Sequence, residues 1–307
     1  MRKILFGASI CLVVLGFALL IIAFVQDRQT AADEAALESG LAALKQQAAV
    51  TDAVPDTVIP PELQTEEPDD TAPPEESTTE SAGAVTEPQP DEPETTAVTD
   101  TEAPQTEAKP AEPPKDVILD FSWLKKVNSD IYAWMEIPGT RVDYPILQNA
   151  KNDRKYLNTA YDGQAYIGGS LFSESAYNGT DFNDPVTVIY GHTMRAGTMF
   201  GSLQSVYSDQ SRFSSCSDIK VYLPGEIRHY TVFAAVPYSA EHILKHHDFS
   251  DPDVFDSFFE GIGRIRGIGV NFNPDAFPRH GDHVLILSTC MTGNPSKRYL
   301  VMAVWEE

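Results

Sequence analysis

Most hydrophobic positions in the C-terminal two thirds of the chain form short runs separated by turn residues. Residues 186–190 read Val-Thr-Val-Ile-Tyr, and residues 283–289 and 299–305 are similarly apolar. Short β-branched and aromatic runs bounded by Gly, Pro and Asn predict β-strands. We predict strands at residues 133–137, 165–172, 186–190, 219–223, 230–236, 283–289 and 299–305.

Two stretches in this region predict helices instead. Asp120 can cap a short helix over residues 120–127. A second helix is predicted to begin at Asp251 and Pro252, because apolar side chains then recur on one side: Val254, Phe255, Phe258 and Phe259. Many strands with a few helices indicate a mainly β domain over residues 117–307, folded as a closed or nearly closed barrel.

The N-terminal region has a different pattern. Residues 4–25 contain no charged side chain, and Arg2 and Lys3 precede them. A helix of this length spans a hydrocarbon core of about 30 Å, and the positive-inside rule leaves its N-terminus in the cytoplasm. We predict an uncleaved membrane anchor over residues 1–26, with the remainder of the chain extracellular. A cleaved signal peptide is the alternative, but the apolar run is long and no Ala-x-Ala site follows closely.

Residues 27–50 are rich in Ala, Glu, Leu, Lys and Gln, and predict a solvated juxtamembrane helix. Residues 51–116 contain 13 Pro, 12 Thr and no aromatic residue, with 19 acidic residues against 2 lysines. Such a segment cannot bury enough apolar area to offset its ordering entropy. We predict a disordered stalk that holds the domain away from the bilayer. A binding tail and a glycosylated stalk are alternatives.

The charge distribution argues against nucleic acid as a partner. The acidic stalk carries −17 of the formal net charge of −23, which leaves −6 for the rest of the chain. No long run of Lys and Arg offers a surface that could neutralise phosphates.

Three cysteines, Cys11, Cys216 and Cys290, lie far apart, so thioredoxin-like and thiolate zinc motifs are excluded. Cys216 follows two serines in a polar stretch and is interpreted as passive. A metal site at His242, His246 and His247 has no obvious strong further ligand apart from Glu241 or Asp248, so a solvated helix end is preferred. We predict no metal and no cofactor.

Cys290 ends one apolar run, and Arg298 begins the next after a loop containing Gly, Asn and Pro. Strand, short loop and strand predict a hairpin, which makes Cys290 and Arg298 neighbours. His192 follows Gly191 at the end of the run 186–190. A cysteine nucleophile must be a thiolate, His can exchange protons near neutral pH, and Arg is a permanent donor for an oxyanion. The set therefore indicates acyl transfer.

These motifs resemble the sortase family of Gram-positive bacteria. The resemblance rests on Ser288-Thr289-Cys290, the spaced Arg298 and Tyr190-Gly191-His192. Residues 155–158, 181–192 and 199–201 are similar to the class B branch, and the likeness extends over nearly all of the barrel domain.

The resemblance implies an eight-stranded barrel and a cysteine transpeptidase. His192, Cys290 and Arg298 would be catalytic, and Leu157, Tyr190 and Ser288 would line the groove for a sorting-signal peptide. Cleavage after Thr would form a thioacyl intermediate, which an amine of the peptidoglycan precursor or a pilin lysine resolves. The alternatives are a non-catalytic cell-wall-binding module and another cysteine enzyme, such as an L,D-transpeptidase or endopeptidase.

Overall fold

A computed structural model describes residues 2–49 and 118–306, and the side chains of the first helix at residue 23 and from residue 26 onward. Within these residues there are six α-helices: α1 (Arg2–Ala48), α2 (Phe121–Val127), α3 (Leu203–Tyr207), α4 (Gln210–Ser215), α5 (Ile243–His246) and α6 (Pro252–Gly263). The strands of the same residues are β1 (Ile131–Glu136), β2 (Asp143–Leu147), β3 (Leu171–Phe172), β4 (Val186–Tyr190), β5 (Asp218–Leu223), β6 (Glu226–Ser239), β7 (Asn271–Phe272), β8 (Val284–Met291) and β9 (Asn294–Trp305). Short 3-10 helices lie at Lys155–Leu157 and Pro274–Ala276.

Eight of the strands close into a barrel. Their order around the sheet is β5-β1-β2-β3-β4-β8-β9-β6, and pairing between β5 and β6 completes the ring. The short β7 adds to the side of β6. The pairs β2–β3 and β4–β8 are parallel, and the other pairs are antiparallel. The predicted eight-stranded barrel is therefore confirmed.

Turn glycines fix the hairpins that define the register. Gly225 has φ +87° between β5 and β6, and Gly293 has φ +79° between β8 and β9. A residue with a Cβ adopts this left-handed backbone at a cost, so glycine favours both tight turns. The second turn places the end of β8 opposite the start of β9.

The sheet has apolar side chains on both faces. Inside the barrel, alternate β8 residues such as Leu285 and Leu287 join the main core. On the outer face, Val284 and Ile286 pack in a second core with α6. Helix α6 begins as predicted, with Asp251 accepting from the Asp253 N–H, and it buries Phe255, Phe258, Phe259 and Ile262. Alternation along β8 thus assigns even-numbered residues to the outer face.

The order of elements departs from the sequence predictions at several points. Strands β2 and β7 and helices α3 and α4 were not predicted, because they are short and carry little periodicity. The predicted strand at residues 165–172 is strand only at Leu171–Phe172. Gly169 interrupts it with φ +56°, and a Cβ there would lie 2.2 Å from the Tyr156 carbonyl oxygen. That close backbone approach requires glycine and ends regular pairing.

The C-terminal part of α1 packs on the barrel: the helix predicted over residues 27–50 is present as far as Ala48, but its predicted solvation is wrong. Leu41, Leu44 and Ala48 are 4%, 5% and 0% exposed and belong to the main core. Their spacing places them on one helix face. Lys45 Nζ also lies 2.5 Å from Glu136 Oε2 and 2.7 Å from Asp143 Oδ1. Apolar burial and these ion pairs together hold the C-terminal part of α1 on the barrel.

The residues on either side of the acidic segment meet in the fold. Ala49 pairs with Leu119 in an antiparallel bridge, and Asp120 N–H donates to the Ala48 carbonyl at 2.8 Å. Asp120 also caps α2, as predicted. The predicted stalk over residues 51–116 lies outside the described residues. The described residues that flank it, Ala49 and Leu119, are paired with each other.

Among the residues with described side chains, no helix has the length and apolar character needed to cross a bilayer. The predicted anchor over residues 1–26 depends on side chains almost entirely outside that set.

Candidate active site

Cys290 and Arg298 lie opposite each other in the β8–β9 hairpin. They are register partners of the antiparallel pair, and the register shifts immediately after Cys290. Opposed residues of such a pair project to the same face, with Cα atoms about 4.5–5.5 Å apart. Both residues are partly exposed. The hairpin therefore presents a thiol and a permanent cation together at one end of the barrel.

His192 reaches the same end through β4. In the parallel β4–β8 pair, Tyr190 lies opposite Ser288, and the Gly191 N–H donates to the Ser288 carbonyl at 3.2 Å. A Cβ on Gly191 would lie 2.6 Å from neighbouring side-chain atoms, so this position requires glycine. The strand end thus sets His192 beside β8.

The His192 ring is held by the backbone of the Lys155–Leu157 turn. Its Nε2 lies 2.9 Å from the Leu157 carbonyl oxygen. A carbonyl oxygen can only accept, so Nε2 carries a proton and donates it. Nδ1 has no hydrogen-bond partner within the described residues. A neutral His192 therefore exchanges its second proton through Nδ1.

Across the described chain, no hydrogen bond joins the side chains of His192, Cys290 and Arg298 to one another. Arg298 Nη1 instead donates to the carbonyls of Pro295 and Lys297, each at 3.3 Å. Catalytic hydrogen bonds are often long in an empty site and form when substrate binds. Strand pairing brings the three residues to the same end of the barrel.

Two threonines connect the His192 loop to the strand that carries Cys290. The Thr193 hydroxyl donates to the Cys290 carbonyl at 2.5 Å, and the Thr289 hydroxyl donates to the Gly191 carbonyl at 2.7 Å. The two hydroxyl oxygens are 2.7 Å apart. This threonine link restrains the separation of the His192 loop and Cys290, and the sequence analysis did not predict it.

The three predicted groove residues surround the same strand ends. Ser288 is 6% exposed and lies on the outer face of the sheet with Cys290. Leu157 is partly buried and contributes the carbonyl that holds His192. Tyr190 packs between the two cores and stacks on Phe172 with ring centroids 5.5 Å apart.

The Tyr190 hydroxyl is buried beside the Glu174 carboxylate. No described residue forms a hydrogen bond of normal geometry with this hydroxyl. Burial raises the pKa of Tyr190 above its ordinary value, and the neighbouring Glu174 raises it further. The hydroxyl therefore stays protonated, with the Glu174 carboxylate as the neighbouring acceptor.

A cluster of three side chains that the sequence analysis did not predict lies next to Tyr190: Glu174, Tyr177 and His242. His242 Nε2 lies 2.6 Å from Glu174 Oε2, and its ring centroid lies 4.8 Å from that of Tyr177. The Tyr190 and His242 centroids are 6.3 Å apart. Nδ1 of His242 accepts from Lys245 N–H and so caps α5. Glu174 and His242 are 68 positions apart in the sequence, so no local sequence pattern indicates this contact.

The remaining His and Cys residues that the sequence analysis considered pack against other parts of the protein. His247 Nδ1 lies 3.0 Å from the Ile243 carbonyl oxygen, and its ring packs on Phe249 and Phe258. In the part of the chain that is described, no group of three or more His, Cys, Asp or Glu residues could hold a metal ion. Cys216 is a free cysteine, 7% exposed, at the end of α4.

A cleft of about 850 Å³ separates α1 from the His192 loop. Asp27 and Glu34 line it from the helix, and Asn158, Ile167 and His192 line it from the barrel. Ile167 is 72% exposed. Helix α1 therefore forms one wall of an approach to His192.

Known proteins share this architecture. The Sortase domain family matches residues 135–306, more than half of the chain. Sortase B of Listeria monocytogenes is 30% identical over 175 residues, which are 55% of this chain and 66% of that protein, just under two thirds of its length. A Staphylococcus aureus sortase B–substrate complex has a TM-score of 0.54 and 26% identity, and covers 61% of this chain and 85% of that chain. A Streptococcus pyogenes class B sortase involved in pilus biogenesis has a TM-score of 0.52 and 26% identity, with coverages of 61% and 97%.

Proposed function

The chain belongs to the sortase family as a class B-like cysteine transpeptidase, and from this premise we propose that it cleaves a sorting-signal peptide after Thr through a thioacyl intermediate on Cys290. The observation that carries the proposal is the register pairing of Cys290 with Arg298, beside a His192 that is tied to the same strand. A peptide substrate is consistent with the named substrate complex of the Staphylococcus aureus relative.

The first half-reaction makes the thioester. Cys290 Sγ, as thiolate, attacks the Thr carbonyl carbon, and the carbonyl oxygen becomes an oxyanion that Arg298 stabilises. The C–N bond then breaks, and the departing amine takes a proton from Nδ1 of the His192 imidazolium. The second proton stays bonded to Nε2, which donates to the Leu157 carbonyl oxygen, so this contact keeps the ring oriented throughout.

The second half-reaction transfers the acyl group. An acceptor amine attacks the thioester carbon, gives a proton to Nδ1 of His192, and expels Cys290 as thiolate. The acceptor we propose is an amine of the peptidoglycan precursor. A pilin lysine is the second candidate, because a relative of similar identity is a class B sortase involved in pilus biogenesis.

The proposal includes the location of the enzyme. With residues 4–25 across a bilayer and the N-terminus in the cytoplasm, the barrel is extracellular. Glu34, buried on the barrel, is nine residues beyond position 25, a distance of about 13 Å along an α-helix. The continuous α1 would then hold the active site close to the membrane surface, where a membrane-linked precursor is found.

Cleavage of quenched fluorescent peptides tests the reaction. The full-length chain, purified in mild detergent, is incubated with peptides of the Leu-Pro-x-Thr-Gly, Asn-Pro-x-Thr-Asn and Ser/Pro-Pro-x-Thr-Gly types, with and without an added amine. Cleavage after Thr that is lost in Cys290→Ala supports the proposal. Absence of any cleavage, with Cys290 also resistant to iodoacetamide in the folded protein, favours the non-catalytic binding module.

A further inference from the structure

A second groove, of about 970 Å³, opens at Cys290. It extends over the loop that follows His192 to helices α3 and α4 and the β1–β2 turn. This acceptor groove, as it is named below, does not contain Tyr190, Ser288 or His242 in its lining. Cys290 therefore has the cluster of Tyr190, Glu174 and His242 on one side and the acceptor groove on the other.

The acceptor groove is positively charged. Its charged lining residues are three arginines, Arg141, Arg195 and Arg212, and no Asp or Glu is among them. Arg141 is paired with Glu38, its Nη2 lying 2.5 Å from the carboxylate. Arg195 and Arg212 are exposed, and neither forms an ion pair with a carboxylate within the described ranges 2–49 and 118–306. Arg212 Nη2 donates to the Gly139 carbonyl at 3.4 Å, and Arg195 also lines the cleft that contains Asp27 and Glu34. These two arginines line the same groove as Cys290, in a chain of net charge −23.

Hydrogen bonds between separate elements hold the walls of this groove. Gln204 Oε1 accepts from the Thr292 N–H at 2.8 Å, which connects α3 to the loop after Cys290. Arg141 Nη1 donates to the Ala196 carbonyl at 2.5 Å. The groove is therefore formed before a ligand binds, which lowers the ordering cost of binding.

We propose that this groove binds the acceptor, and that the acceptor carries an anionic group, a carboxylate or a phosphate, near its amine. The inference rests on the proposed function and adds the acceptor chemistry to it. While the acyl half of the peptide occupies the side of Ser288 and Tyr190, the amine must approach the thioester from another side. Guanidinium groups match carboxylates and phosphates in planar, two-point hydrogen bonds, so Arg195 and Arg212 select an acceptor of that charge.

Matched acceptor pairs test the proposal. Triglycine is compared with triglycine amide, and phosphoethanolamine with ethanolamine, because each pair differs in the anionic group and shares the primary amine. The full-length chain in detergent receives a cleavable donor peptide, and mass spectrometry measures the ratio of transfer product to hydrolysis product. We expect the charged member to give a ratio about threefold to tenfold higher at low salt, and less at high salt, as for exposed ion pairs. The two pairs distinguish a carboxylate from a phosphate.

The double variant Arg195→Gln, Arg212→Gln should bring the two members of each pair to equal ratios. Arg264→Gln is the matched control, because Arg264 is outside the groove lining and is paired with Glu260 in α6. It should keep the preference. Equal ratios in the unmodified chain, or a preference that survives in the double variant, would overturn the proposal.

A binding measurement keeps this test separate from catalysis. Triglycine and triglycine amide are titrated by ligand-observed NMR against Cys290→Ala, with and without the two Arg→Gln changes. Weaker binding of the amide, and loss of that difference in the combined variant, supports the groove even if no donor peptide is cleaved. Indistinguishable binding of the two overturns it, whereas absent donor cleavage alone counts against the proposed function.

Discussion

Cys290 and Arg298 are directly opposed in one antiparallel strand pair, so the proposed nucleophile and the proposed oxyanion donor are positioned by a single hairpin. Backbone hydrogen bonds on both sides of the turn fix their separation, which spares the enzyme the entropy of aligning them during the reaction. His192 comes from a different strand and depends on two threonines for its placement.

Replacement of Cys290 by Ala should abolish peptide cleavage, with a loss of at least about a thousandfold in kcat, because no other group can form the thioester. Cys216→Ala is the matched control, since that thiol is buried in the main core at the end of α4. It should retain the cleavage rate and cost about 1 kcal/mol of stability. Iodoacetamide labelling followed by peptide mapping should modify Cys290 ahead of Cys216. Full activity in Cys290→Ala would disprove the assignment.

Thr193→Val should lower kcat about tenfold with little change in KM, because it removes the hydroxyl that joins the His192 loop to the Cys290 carbonyl. Thr193→Ser should restore kcat, since serine keeps the hydroxyl. Both constants and the melting temperature are measured for each variant. A variant that melts earlier but keeps its kcat would mean that Thr193 has a structural role alone.

Tyr190→Phe removes a buried hydroxyl that lies beside the Glu174 carboxylate but makes no hydrogen bond of normal geometry with the described residues. An unsatisfied buried donor costs about 1–3 kcal/mol, so the variant should melt at the same temperature as the parent or higher. If the hydroxyl donates to bound peptide, kcat/KM should fall about tenfold. Unchanged kcat/KM together with a raised melting temperature would exclude peptide binding by this group.

The elements nearest the nucleophile were predictable from local pattern. Strand β4 matches its predicted bounds, and the β8–β9 hairpin follows from two apolar runs around a Gly-Asn-Pro turn. Helix α6 follows from a Pro after an Asp cap. In each case propensity, periodicity and turn chemistry agree over a few consecutive residues.

The rest depends on contacts between distant parts of the chain. The Glu174–His242 pair and the threonine link join residues 68 and 96 positions apart. From sequence alone, Leu41 and Leu44 fit either a solvated helix or a helix packed on the barrel. The structure distinguishes the two, because both side chains are buried against the barrel. Arg195 and Arg212 form a groove only after α3 and α4, which are short and weakly periodic, have folded.

Replacing residues 51–116 by a short Gly/Ser linker should leave the barrel and its activity intact. Ala49 and Leu119 are paired, so a hairpin loop of about 2–5 residues can connect them. We expect the melting temperature to change by less than about 4 °C and cleavage by less than about twofold, since a shorter loop also lowers the closure entropy. Circular dichroism and the peptide assay measure both. Loss of folding would show that the segment contributes to the stability of the folded domain.

Glu34 provides a test of how α1 is held on the barrel. It is 5% exposed, and burial raises the pKa of its carboxyl above the usual 4.5, with Glu38 and Asp27 raising it further and Arg141 opposing them. A raised pKa means that the folded state holds this proton more tightly than the unfolded state. Stability from this group is therefore present below pH 4.5 and is lost as the pH rises through the folded-state pKa.

Glu34→Gln, which cannot ionise, should melt at a higher temperature than the parent protein at pH 7. The difference should shrink on acidification and vanish below about pH 4.5. Glu38→Gln is the matched control on the same helix, because Glu38 pairs with Arg141 and accepts from the Tyr144 hydroxyl at 3.3 Å. That variant should melt earlier at pH 7. Melting temperatures of both variants and the parent are measured at pH 4, 5, 6 and 7. A Glu34→Gln variant that is no more stable than the parent at pH 7 would mean that Glu34 is not buried against the barrel.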